Sequence, residues 1–484
     1  MSALLCAALV HAATFGAALG LGLGLLRVLR CDARVRDAAG GLLGALWLGL
    51  CAVDGLLELV LCAAPGLWRP AALALHAAGL ALALAHACSS ARRARGDAVL
   101  ASRARRVALS AALLLALLAL VPALTDGLAG VDALEVYRLK ARALDEGTLE
   151  QLAPRALGAS HPLFVPTIVA WHAALGGEVS AAAQIGVSLL AWFVAARLWY
   201  GVLRRATNPR LAVFSLAIFA ASPPLLALVP RGEADLPLLA CVLGAAACWN
   251  LGSSSARALA LLFALGAAAA KNEGLAWIAL GGALYLARGS AGAPIEPLLA
   301  RVGRGLCAAL FILALRLPAL LLRARSGTFV EHLDAADLGA LLDPAYLVHR
   351  GGIVLEELWL AGGGPASAVA APLWLILLAL LASERAARAR GPVLLGTLWF
   401  ASVFVGVLLG GYDARWQTSV AAARIWIQAS PWLVLAYALL LDATLARRAV
   451  EADDRAAGAH APASPRAREL ARATDAHDAA PDKK

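Results

Sequence analysis

The chain has 484 residues, of which 61% are hydrophobic and 15% charged, and its mean hydropathy is +0.76. A soluble chain carries about a quarter of its residues as charges, so the composition excludes a water-facing globular domain. The formal net charge is +10, but its placement is more telling than its sum, and the Leu- and Ala-rich runs lack the period-2 alternation of a barrel. The expected class is all-α and polytopic, with helices that satisfy their own backbone groups in lipid.

A helix needs about 20 apolar residues to cross a bilayer core. The first run, Ala3 to Leu26, has no basic stretch before it and is long for a signal peptide, so it reads as an uncleaved first span. Further spans are expected near 41–63, 70–88, 107–125, 179–203, 211–229, 235–252, 256–271, 274–288, 304–322, 366–382, 392–410 and 425–445, about thirteen in all. Arginines collect in alternate connections: Arg27, Arg30, Arg34 and Arg36; Arg92 to Arg106; Arg204, Arg205 and Arg210; Arg288, Arg301 and Arg304; Arg385, Arg388 and Arg390; then Arg447 and Arg448. Thirteen spans put all of these on one side, which the positive-inside rule makes the cytoplasm. The N-terminus then faces outward and the C-terminus inward, as in a cytoplasmic (inner) membrane protein. The tail from 446 to 484, rich in Ala, Pro, Asp and Arg, reads as a disordered cytoplasmic extension.

Within the second span, Asp54 and Glu58 lie four residues apart, and Arg316 lies in the tenth. Intramembrane charges are functional candidates by default and are the best support for a transporter or flippase of a lipid-linked or small anionic solute; neutral carboxyls bonded to a neighbouring helix are the plainer alternative. The eight cysteines sit in or beside apolar runs without a CxxC pair or clustered His, which suggests neither zinc nor a disulfide framework.

Two long loops, 126–178 and 323–365, fall outside. In the first, Asp132 to Gly147 has helical, partly amphipathic character, with Asp132 and Glu135 one turn apart and Arg138, Lys140 and Arg142 following. A carboxylate followed by cations at a membrane surface suits an anionic lipid-linked substrate, although an interfacial helix laced with ion pairs has the same spacing. His161 then opens a Pro-bounded apolar helix. Three further polar groups fall on the same side: Arg231, Glu233 and Asp235 within PRGEADLP; Lys271, Asn272 and Glu273 before Gly274; and Arg424 at the mouth of the last span. Lys140 and Lys271 gain interest because the other two lysines are at the tail end, Lys483 and Lys484. For the second loop, Tyr346, Trp359 and the glycine run 362–364 suit either ligand contact or the interface.

At these residues the sequence resembles the GT-C superfamily of membrane glycosyltransferases, especially the bacterial group related to dolichyl-phosphate-mannose protein mannosyltransferases. The likeness rests on Asp132, Tyr137, Lys140 and Ala141 after a span, then His161, Pro162, Pro166 and Trp171; on Ala234 to Pro237; on Lys271 to Gly274; and on Arg424, Gln428 and Pro431. It covers roughly 107–445, a GT-C-like catalytic core, and leaves 1–106 as a three-span N-terminal extension that the simplest family pattern lacks. The resemblance implies transfer of a sugar, with inversion, from a polyprenyl-phosphate-sugar donor to a glycan, lipid or protein hydroxyl on the outer face, with membrane lipid as surroundings and no nucleic-acid partner. It makes Asp132 the general base, with Glu135 beside it, and Lys140, Arg142, Lys271 and Arg424 the donor-phosphate cations. His161, Glu233, Asp235 and Glu273 would hold the acceptor or orient those cations. A bound divalent cation is compatible with the resemblance and not required by it.

Overall fold

The computed structural model describes residues 2–93, 136–149, 162–176, 178–249, 251–288, 297–325, 343–357, 374, 388–409 and 413–456. Among them the secondary structure is helical, without strands. The helices are α1 (Ser2–Val28), α2 (Ala33–Ala38), α3 (Gly41–Ala63), α4 (Trp68–Arg93), α5 (Leu139–Glu146), α6 (Phe164–Gly176), α7 (Ala181–Ala206), α8 (Pro209–Ala220), α9 (Pro223–Ala227), α10 (Asp235–Trp249), α11 (Ser254–Ala270), α12 (Glu273–Arg288), α13 (Leu298–Arg325), α14 (Pro344–Glu356), α15 (Arg390–Leu409) and α16 (Ala414–Ala456). Among the described residues five stretches are long and apolar enough to cross a membrane: Ala8–Val28, Gly41–Ala63, Pro65–Cys88, Ala181–Ala206 and Arg424–Arg448. The chain is thus an all-α protein with membrane-spanning character. The expected spans near 107–125 and 366–382 lie outside the described residues, apart from Trp374.

Two elements depart from the sequence reading. The run 211–229 is two helices, because Pro223 and Pro224 disfavour helical backbone at the residue before each; α8 ends at Ala220 and α9 starts with Pro at its first turn. At the other end of the chain, α16 continues to Ala456, beyond the expected tail boundary at 445. Its LARRAVEADDRA extension is dominated by strong helix formers.

α1, α3 and α4 pack on one another through small residues. A Cβ built on Gly49 of α3 would lie 1.8 Å from the Ala18 carbonyl oxygen of α1, and one on Gly22 would lie 1.7 Å from the Ala45 oxygen. Apolar surface alone does not drive helices together in lipid, so backbone approach of this kind supplies the contact. α3 also packs against α6, α7, α11 and α13. Its Trp47 indole donates to Cys241 Sγ on α10 at 3.2 Å.

The second layer positions the site. α10 and α11 form an antiparallel hairpin joined near residue 252, where Gly252 is left-handed, so the free ends Asp235 and Lys271 meet. α16 packs against α7, α8, α10 and α15 and brings its residues to that end.

Candidate active site

Each polar residue at this end is held there by local geometry. Before α10, Gly232 takes a left-handed backbone (φ 63), and its carbonyl accepts from Nε2 of the buried Gln184 on α7 at 2.9 Å. That anchor fixes the turn carrying Glu233 and Asp235. Lys271 caps α11 in extended conformation, and the chain turns at once into α12, with Gly274 N–H donating to the Lys271 carbonyl at 2.9 Å. A side chain at 274 would put Cβ 2.0 Å from the Ala267 carbonyl oxygen. Gly274→Ala is therefore expected to push α12 off α11 and lower stability by about 1–3 kcal/mol, as overpacking does. A thermal midpoint equal to wild type in detergent would contradict it.

The side chains form one network. Lys271 Nζ donates to Asp235 Oδ1 at 2.9 Å and lies 3.1 Å from Glu273 Oε1. Arg424 Nη2 is 3.0 Å from Glu233 Oε2, and its Nε is 3.8 Å from Asp235 Oδ2. One turn along α16, Gln428 Nε2 donates to Asp235 Oδ1 at 3.2 Å, and Gln428 Oε1 accepts from the Trp277 indole at 3.3 Å. Trp277 stacks on Trp399 of α15, with centroids 4.5 Å apart and planes at 13°.

Burial grades across the cluster. The Asp235 and Glu233 side chains are 1% and 4% exposed, Lys271 is 8%, Arg424 is 16% and Glu273 is 41%. The open lip is therefore at Glu273 and Arg424. The Lys271 ammonium sits between two carboxylates, 2.9 Å from Asp235 and 3.1 Å from Glu273. Tyr137, buried just before α5, is near enough to act on that ammonium. The segment leading into α5 thus reaches the cluster through a residue three positions before Lys140.

Of the residues singled out in the sequence, the fold gathers Glu233, Asp235, Lys271, Glu273 and Arg424. Lys140 is buried on α5, and Arg142 is exposed on the same short helix. Asp132, Glu135 and His161 lie outside the described residues. Gln428, named with Arg424 in the resemblance, joins the network, and Gln184 and Trp277 complete it as neutral residues within apolar helices that carry no charge to mark them. Among the described residues, no three His, Cys, Asp or Glu side chains converge as metal ligands. The cluster's carboxylates are met by Lys271 or Arg424, so the described donors do not fit a divalent cation.

A second polar group lies between α3 and α13. Arg316 of α13 grips Glu58 of α3 through both terminal nitrogens, Nη1 to Oε2 and Nη2 to Oε1 at 3.4 Å. Asp54, one turn away, is buried beside them. Comparison with protein-family models, curated proteins and solved structures finds no match to this chain.

Proposed function

We propose that the protein is a membrane glycosyltransferase that moves a sugar from a polyprenyl-phosphate donor to an acceptor hydroxyl at the outer face of the cytoplasmic membrane, with about thirteen spans and a GT-C-like core. One observation carries the reading. Residues from three distant segments, 233–235, 271–273 and 424–428, form a single network of opposed charges at the shared ends of α10, α11 and α12. Tyr137 ties the first outer loop to it. A merely structural charge cluster has no need of a half-exposed lip, whereas a site for a polar headgroup does.

In this reading Asp132 removes the proton of the acceptor hydroxyl as that oxygen attacks the anomeric carbon, and Glu135 supports it. The departing phosphate gathers negative charge. Lys271 and Arg424, held in one orientation by Asp235, Glu233 and Glu273, stabilise that charge without reorganising, and Lys140 assists from α5. Arg142, on the exposed face of α5, meets the donor at the membrane surface. His161 belongs to the acceptor side.

The test is sugar transfer in reconstituted membranes supplied with labelled polyprenyl-phosphate hexoses and pentoses. Asp132→Asn is expected to lower transfer by about 10²–10⁴-fold with folding unchanged, the usual contribution of a general base. Equal rates in the two proteins would remove the assignment.

A further inference from the structure

Asp54 stands apart from the site above. It lies about 14 Å along α3 from that helix's C-terminal end, and Arg316 lies about 14 Å from the C-terminal end of α13, nine residues in each case. Asp54 is 1% exposed, and the hydrogen-bonding group that reaches its carboxyl among the described residues is the Thr167 hydroxyl of α6. The groups that act on it are Glu58 and Cys51 of its own helix, Arg316 of α13 and Cys241 of α10, with the Thr167 hydroxyl of α6 beside it. Arg316 is the cation in this set, and both of its terminal nitrogens are turned to Glu58.

The charge balance therefore closes without Asp54. A second carboxylate at that depth would have no counter-ion of its own, and an unpaired charge out of water is strongly disfavoured. What is missing is a small cation. Arg316 crowds the site, and the Glu58 carboxylate that could share a metal ion is already engaged by Arg316, so the proton is the cation that fits.

We propose that Asp54 is a proton-binding site within the membrane, with Glu58–Arg316 as a neighbouring ion pair that determines whether the proton stays. While Arg316 is engaged by Glu58, Asp54 holds its proton. When a proton taken up from the aqueous phase neutralises Glu58, Arg316 turns one helical turn to Asp54, and the Asp54 proton leaves to the aqueous phase. One proton enters at Glu58 and one leaves Asp54, so the charge of the group is conserved. This site does not depend on the sugar-transfer reading.

Infrared difference spectroscopy of the purified full chain in lipid tests it directly through the carbonyl stretch of a neutral carboxylic acid. At neutral pH wild type is expected to show that band from a site shielded from water, and Asp54→Asn to lose it. Glu58→Gln is expected to lose the same band, because Asp54 ionises to pair with Arg316. Asp54→Asn, which copies the neutral shape, is expected to keep the wild-type thermal midpoint. A band unchanged in Asp54→Asn, or one that persists in Glu58→Gln, would overturn the proposal. A large fall in the midpoint of Asp54→Asn would do so too, since it would mark an ionised, paired Asp54.

Discussion

Lys271→Met is expected to abolish sugar transfer and to cost about 3–5 kcal/mol of stability, the range for breaking one partner out of a buried ion pair. The substitution keeps the unbranched stem up to the ε position and removes the charged ammonium. Asp235 then loses its 2.9 Å donor and keeps Gln428 at 3.2 Å and Arg424 Nε at 3.8 Å. A nearly enclosed carboxylate with so little compensation is costly. Pairing it with Asp235→Asn should restore most of the stability while transfer stays lost, because an amide tolerates the absence of the ammonium. Thermal unfolding of the four proteins of this cycle, alongside their transfer rates, separates the two effects. Lys271→Met as stable as wild type would show that the pair contributes no net support.

Arg316→Met is the second large effect, again about 3–5 kcal/mol, because Glu58 is left buried beside Asp54. The double variant Arg316→Met with Glu58→Gln has no charge to strand and is expected to unfold near wild type. Replacing a buried pair by neutral residues of similar volume is often neutral or stabilising. Denaturation in lipid or detergent measures both. If the double variant were as damaged as the single one, the loss would come from packing rather than charge. Sugar transfer in the double variant should persist, since these residues take no part in the proposed chemistry.

Much of the helical frame is legible in the residues. The run 41–63 emerges as α3, bounded by Gly40 with its left-handed backbone and by Ala64 outside the helix. The pair 256–271 and 274–288 emerges as α11 and α12, split at Lys271. Span 211–229 was legible in hydropathy and misleading in geometry, because an apolar window does not register that two consecutive prolines break the helix. In the site, charge made Glu233, Asp235, Lys271, Glu273 and Arg424 visible, since each is an expensive residue at the edge of an apolar run. Gln428 stood out only through the resemblance, and Gln184 and Trp277 did not stand out at all. Glutamine and tryptophan are common enough in such helices, and only the fold sets Gln184 against the Gly232 carbonyl and Trp277 against Gln428. Asp54 and Glu58 illustrate the reverse case: four residues apart, they read as equivalents, and the fold gives the cation to one of them.

The separations along the chain bear on how the protein enters a bilayer during synthesis. Asp235 and Lys271 lie 36 residues apart on one hairpin. That hairpin can pass from translocon to lipid with Asp235 and Lys271 already joined as a neutral pair. Glu58 and Arg316 are 258 residues apart. Several helices must therefore be synthesised while Glu58 waits in the membrane without its cation, and during that interval a bound proton is the means by which an acidic side chain avoids the full cost of lipid. The early helices, held backbone to backbone through Gly22 and Gly49, give it a packed seam to wait in.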